Sequence, residues 1–240
     1  MCGRYTQGRA IPNLIERYLD LGGAIVASEQ TLHPSYNIAP GTYPAVLFSD
    51  EGTLKLGPMR WGLVPRWTKS LADLKHKPIN AQSETADSGP FFRDAFKSAR
   101  CLVPATSFYE WKGVKPPKQP YCICVKDQEI FSMAGLWSRW RGPEGEDLLT
   151  FAVLTTAPNA LMKTIHNRMP CILRREDEQV WMDGTVRDAA VLKEVLKPYP
   201  AEQMEAYPVS TAVNRPGVDG PELMAKVAVA TPGAQQELFG

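Results

Sequence analysis

A cysteine follows the initiator methionine. Met1 is normally trimmed before so small a residue, so Cys2 is expected to lead the mature chain. An amino-terminal cysteine holds two nucleophiles on adjacent carbons, a thiol and a free α-amine. The amine ordinarily titrates at about 7.7–8.0 and the thiol at about 8.5, so both are partly available near neutral pH. Together they can trap an aldehyde. The amine condenses to a Schiff base, and the thiolate closes a five-membered thiazolidine on the same carbon. Taken alone, Cys2 reads equally as a packed free cysteine.

Other segments place reactive types where a core has no need of them. Gly3 permits a tight backbone path beside Cys2, and Arg4 sets a guanidinium within reach of an anion bound there. Glu110 sits between Tyr109 and Trp111. Desolvated by these rings, its carboxyl would be raised toward neutrality and suited to proton donation; on an exposed strand it would be an ordinary surface glutamate. His166 precedes Arg168 in a loop between Pro158 and Pro170. It fits acid/base work or a loop-bracing hydrogen bond. Asn80 could orient a carbonyl or hydroxyl, or simply form a turn. Met59 to Trp67 interleaves Trp61 and Trp67 with Arg60 and Arg66. That tract is either a strand and turn with packed indoles or a platform for nucleobases and phosphates.

These residues need elements to hold them. Ile11, Leu14, Ile15, Tyr18 and Leu19 recur at helical spacing, and Gly22-Gly23 ends that helix. Residues 45–48 and 53–56 flank Asp50-Glu51-Gly52 as a hairpin, and 121–125 with 130–136 flank Lys126–Glu129 as another. Further helices are expected near 92–100, 176–182 and 189–196, with strands at 101–103 and 148–155. Hairpins with separated helices predict an α+β fold and a mainly antiparallel sheet. Cys122 and Cys124 share one face of a strand and read as core packing. No CxxC pair or metal-ligand spacing is present, so neither metal nor organic cofactor is expected.

With 44% hydrophobic and 22% charged residues, the 240-residue chain has the composition of a soluble globular protein. No apolar run approaches a membrane span and no signal segment opens the chain, so a reduced cytoplasmic location is expected. A formal charge of +1 supplies no global field for a polyanion, so any nucleic-acid binding must use a local patch. No obligate interface is indicated, and a monomer is expected. From Val227 the chain turns small and polar, which marks 227–240 as a flexible tail.

Taken jointly, Cys2-Gly3-Arg4-Tyr5, Tyr36-Asn37-Ile38-Ala39-Pro40-Gly41, Met59-Arg60-Trp61-Gly62-Leu63, Ile79-Asn80-Ala81, Phe108-Tyr109-Glu110-Trp111 and Ile165-His166-Asn167-Arg168-Met169-Pro170 resemble the SOS-response-associated peptidase (SRAP) family. Phe92-Arg93, Cys101-Leu102-Val103-Pro104 and Val209-Ser210 with Val213-Asn214 extend the likeness over nearly the whole chain. The resemblance implies one SRAP domain over 1–226, with a barrel-like β core and flanking helices. It also implies covalent capture of abasic sites in single-stranded DNA, in a nucleoid-associated setting. Nucleophile, orienting amide, acid/base carboxylate and histidine carry over to Cys2, Asn80, Glu110 and His166. Phosphate-holding arginines carry over to Arg4 and Arg168, with Trp67 beside displaced bases and Pro40 lining the pocket. Two positions depart from the pattern: Gln82 stands where the family often has arginine, and Ser107 where it often has glycine.

Two rival activities use the same residues, a cysteine (auto)peptidase and a non-covalent single-strand binder working through Trp61 and Trp67. A separate motif closes the chain. Gln235, Leu238 and Phe239 in Gln235-Gln236-Glu237-Leu238-Phe239 resemble the short peptides by which bacterial replication proteins dock on the sliding clamp.

Overall fold

Alternation along the longest strand lays out the molecule. From Phe131 to Arg141, Phe131, Met133 and Trp137 point into one apolar cluster, while Ala134 and Leu136 point into a second. A strand buried on both faces must lie between layers. The computed structural model describes residues 2–22, 25–27, 32–75 and 77–228. Its strands are Tyr5–Gln7 (β1), Ile25–Ala27 (β2), Ser35–Ile38 (β3), Ala45–Asp50 (β4), Thr53–Pro58 (β5), Arg60–Trp61 (β6), Asn80–Gln82 (β7) and Arg100–Ala105 (β8). They continue with Ser107–Lys112 (β9), Gln119–Val125 (β10), Phe131–Arg141 (β11), Asp147–Thr156 (β12), Met169–Pro170 (β13), Ile172–Leu173 (β14) and Met204–Pro208 (β15). The α-helices are Ile11–Arg17 (α1), Arg93–Ser98 (α2), Arg175–Met182 (α3) and Ala189–Glu194 (α4).

A smaller sheet runs β15-β10-β9-β1-β3, and a larger one β13-β12-β11-β8-β4-β5-β2, with β14 on β11 and β6 and β7 on β12. Pairing is antiparallel except for β2 on β5 and for β6 and β7 on β12. The two sheets enclose the cluster that holds Cys2, Tyr5, Trp61, Phe108, Trp137 and Phe151. On the far face of the larger sheet, Leu14, Phe96, Trp181 and Leu192 from the four helices close a second core. Chain passes between the sheets where β8 becomes β9 across the single residue Thr106, the corner that closes a barrel-like core. The architecture is the expected α+β domain.

Two buried polar anchors fix the helical layer. Glu178, 1% exposed, accepts two bonds from Arg17 at 2.7 and 3.1 Å and one from Ser132 at 2.6 Å, joining α3 to α1 and β11. Arg100 donates to the carbonyls of Phe96, Lys97, Trp181, Asp183 and Val186, so the ends of α2 and α3 are satisfied by one side chain.

Helix and strand expectations hold within a few residues, but the hairpin around Lys126–Glu129 does not form. β10 pairs with β9 and β15, while β11 pairs with β8, β12 and β14. The turn, with Asp127 at φ +58°, instead carries the chain from one sheet to the other. Lys126 secures it, its N–H donating to the Gln203 carbonyl and its ammonium to that of Glu202. Gly22, at φ +80°, ends a 3-10 turn after α1, and Gly23 lies outside the described residues.

Candidate active site

Strand β9 lies between β1 and β10, and this placement builds the site. Tyr5 pairs with Phe108, and the Tyr109 N–H donates to the Arg4 carbonyl at 2.9 Å. The first residues therefore run beside the half of β9 that carries Glu110. Cys2 is fully buried in the inter-sheet core. Asn80 arrives on β7, held parallel to β12 at Val153, and its Nδ2 donates to the Cys2 carbonyl at 2.9 Å. Its Oδ1 is buried and has no hydrogen-bond partner among the described residues, an acceptor left open beside Cys2.

Glu110 is 2% exposed, because its face of β9 turns toward the core that Phe108 and Ile123 fill. Burial raises its carboxyl to about 7; the amino-terminal charge, the Trp111 backbone and Lys118 offset part of that rise. His166 Nδ1 stands 3.9 Å from Glu110 Oε1. That same nitrogen accepts the Arg168 backbone N–H at 3.1 Å, and the His166 N–H donates to the Met162 carbonyl. Burial, the amino-terminal charge and Lys118 lower the imidazole, so it is neutral near pH 7. Burial pushes the Cys2 thiol far above its usual range and the Glu110 charge adds to this, against the amino-terminal charge and the Arg4 backbone. A neutral thiol, a carboxyl poised to gain or lose a proton, and a neutral imidazole thus meet around residue 2.

The four residues expected to hold DNA divide. Arg168 adjoins His166, but its guanidinium is engaged: Nη1 and Nη2 form a bidentate pair with Glu84 at 2.7 and 2.8 Å, and Nη2 also donates to the Thr155 carbonyl at 2.6 Å. Arg4 Nη1 donates to Asn37 Oδ1 at 2.6 Å and to the Val213 carbonyl at 2.9 Å. Pro40 is exposed in the turn after β3. Trp67 is 56% exposed and meets Phe91 edge-on at 5.6 Å. No hydrogen bond or ring contact ties Pro40 or Trp67 to Cys2, Asn80, Glu110 or His166 among the described residues. Trp61, the other indole of that tract, is fully buried, donates to the Ile79 carbonyl and stacks on Phe151. It cannot serve as a platform.

The family model for SOS response associated peptidase (SRAP) matches residues 1–216. The chain belongs to the SRAP family. It is 42% identical over 226 residues to the abasic site processing protein YoqW of Bacillus subtilis, covering 93% of this chain and 99% of that one. With abasic site processing protein HMCES of Xenopus tropicalis it shares 33% identity over 225 residues, covering 81% of this chain and 66% of the relative. A crystal structure of a Bacteroides thetaiotaomicron protein superposes with a TM-score of 0.85 at 29% identity, covering 95% of this chain and all of the other.

Sequence reasoning did not single out Glu84 and Asn37, though Asn37 lies in a segment that resembles the SRAP pattern. Glu84 sets the charge state of the Arg168 neighbourhood. Asn37 carries Arg4 on its oxygen, while its amide donates to the carbonyls of Arg215 and Val218, tying β3 to the closing segment. Nothing in their spacing identifies those partners, which lie from 33 to 181 residues away. Cys122 packs with Tyr109, Val209 and Val213 on the outer face of the smaller sheet, its sulfur 3.9 Å from that of Cys124. Among the described residues, no three His, Cys, Asp or Glu side chains gather to hold a metal, and no helix is long and apolar enough to cross a membrane.

Proposed function

We propose that this chain captures abasic sites in single-stranded DNA by forming a thiazolidine through Cys2 once Met1 is removed. What carries the reading is the convergence of Glu110, His166 and Asn80 on the backbone and thiol of residue 2. Glu110, titrating at about 7, protonates the sugar ring oxygen and opens the hemiacetal to its aldehyde. The α-amine of Cys2 attacks that carbon. His166, neutral at this pH, moves the protons as one water leaves and the imine forms. The thiol adds across the C=N bond, its sulfur joining carbon and its proton passing to nitrogen. Holding thiol and imine on one residue supplies a high effective concentration and makes ring closure favourable. Asn80 fixes the Cys2 carbonyl, so the two nucleophiles share one orientation.

Removal of Met1 is the necessary first step. The same Cys2, Glu110 and His166 group beside the Met1–Cys2 peptide bond supports self-cleavage there, in keeping with the peptidase description of the family. Trp67 stacks a base next to the lesion, Pro40 lines the entrance, and Arg4 and Arg168 meet phosphates. For Arg168 the phosphate competes with Glu84. The closing motif with Gln235, Leu238 and Phe239, outside the described residues, docks on a sliding clamp and brings the protein to exposed single strands; changing Leu238 and Phe239 to Ala should abolish clamp binding.

Intact mass after incubation with a uracil-glycosylase-treated oligonucleotide tests the chemistry. The expected adduct weighs the sum of the Met1-less protein and the DNA less one water, and an alanine inserted ahead of Cys2 abolishes it. An adduct that survives denaturation on a chain still carrying Met1 refutes it.

A further inference from the structure

The two arginines given phosphate roles above are already engaged within the protein. Arg168 is paired with Glu84, Arg4 spends Nη1 on Asn37 and Val213, and position 82 carries glutamine. Each arginine therefore meets a phosphate only in competition with these partners, and the register of the β9–β10 hairpin points to further charge that has no such competitor. In an antiparallel pair, directly opposed residues and residues two apart share a face. Phe108 opposes Ile123, Glu110 opposes Tyr121, and Lys112 opposes Gln119. One face of the hairpin therefore runs from the apolar core (Phe108, Ile123), through the site (Glu110, Tyr121), to a basic rim (Lys112). Tyr121 packs on the inter-sheet cluster, and the Lys112 ammonium lies 5.9 Å over its ring.

Beyond this rim the chain turns through Gly113-Val114-Lys115-Pro116-Pro117-Lys118. Every residue from 112 to 118 is exposed, Val114 at the tip by 95%, and this stretch holds three lysines and no acid. None of the three lysines takes part in a salt bridge among the described residues. The Lys118 charge nevertheless reaches the reaction centre, since it acts on both Glu110 and His166.

We propose that Lys112, Lys115 and Lys118 form a phosphate-binding rim that grips the DNA strand flanking the lesion, just outside the Glu110–Tyr121 pair. This rests on the abasic-site reading and names a further part of the chain that holds the strand for it. Three exposed, uncompensated cations at one mouth of the site suit a backbone carrying one charge per nucleotide, and they read no base sequence.

The test uses the full-length chain with Cys2→Ala, a single-stranded oligonucleotide carrying a stable abasic analogue, and binding measured over a series of salt concentrations. Changing all three lysines to Gln should weaken binding and make the slope of log K against log salt shallower by about 2, since each single-strand phosphate contact contributes about 0.7. The triple Lys→Arg variant should keep the wild-type slope. An unchanged slope and affinity in the Gln variant, with its thermal unfolding also unchanged, overturns the proposal. If the triple variant unfolds early, the single Gln variants decide it, each expected to lose about 0.7 of slope; three unchanged slopes are equally fatal. Failure of the parent reading looks different: the wild-type chain forms no denaturation-resistant adduct with an aldehyde-bearing oligonucleotide, whatever the salt slopes show.

Discussion

Replacing Glu110 with Gln separates the energetics of the site from its chemistry. Burial lifts this carboxyl from 4.5 to about 7, which corresponds to about 3 kcal/mol between its two protonation states. Between those values the folded chain keeps a proton that the unfolded chain has released. Wild-type stability contributed by this group is therefore fully present below about pH 4.5 and is lost as pH rises to about 7, where the loss levels off. Glu110→Gln carries a neutral amide of nearly the same shape and lacks that loss. Groups away from residue 110 titrate alike in both proteins, so the pH-dependent difference between their urea-unfolding free energies reports chiefly on residue 110. That difference should move in favour of the Gln variant by about 3 kcal/mol from pH 4.5 to 7.5. Abasic-site capture should move the other way: the wild-type rate at saturating DNA carries a limb that falls as pH passes about 7, and the variant is slow throughout without that limb. Parallel unfolding curves across the range would show that the carboxyl is not raised, and the general-acid role would fall with it.

Glu178→Ala leaves Arg17 buried without its carboxylate partner and should cost about 3–5 kcal/mol in urea unfolding, while a surface change such as Glu51→Ala costs little. Glu84→Gln frees Arg168 from a bidentate but half-exposed partner, so affinity for a stable abasic analogue should rise by about two- to fivefold in a titration on the Cys2→Ala background. Trp67→Ala removes an exposed indole and should weaken the same binding by about 1–3 kcal/mol, with little change in the unfolding midpoint.

How far the chain could be read depended on whether a feature is local. The β4–β5 hairpin was legible because Asp50-Glu51-Gly52 separates two apolar runs, and Glu51 and Gly52 do take the positive φ that a two-residue turn demands. Helix α1 was legible from its periodicity. The Lys126–Glu129 turn was not, because four polar residues look the same whether the chain doubles back or crosses to another sheet; the choice is made by Gln203 and Glu202, far along the sequence. The short strands β1, β3 and β15 take their form from long-range partners, and no pattern within three to five residues announces them. At the site, Cys2, Asn80, Glu110 and His166 stood out only jointly, since each alone has an ordinary role. Trp61 and Trp67 look alike in sequence, yet one is sealed between sheets and the other stands in solvent. The Glu84–Arg168 pair lay beyond reach because it joins side chains 84 positions apart.

Sealing the Cys2 sulfur inside the protein also bears on its survival. Oxidants attack thiolates, and a protonated sulfur without solvent access offers peroxide almost nothing to react with. The thiol on which the proposed capture depends is in this way shielded from oxidation, and alkylating probes should find the partly exposed Cys124 before they find Cys2.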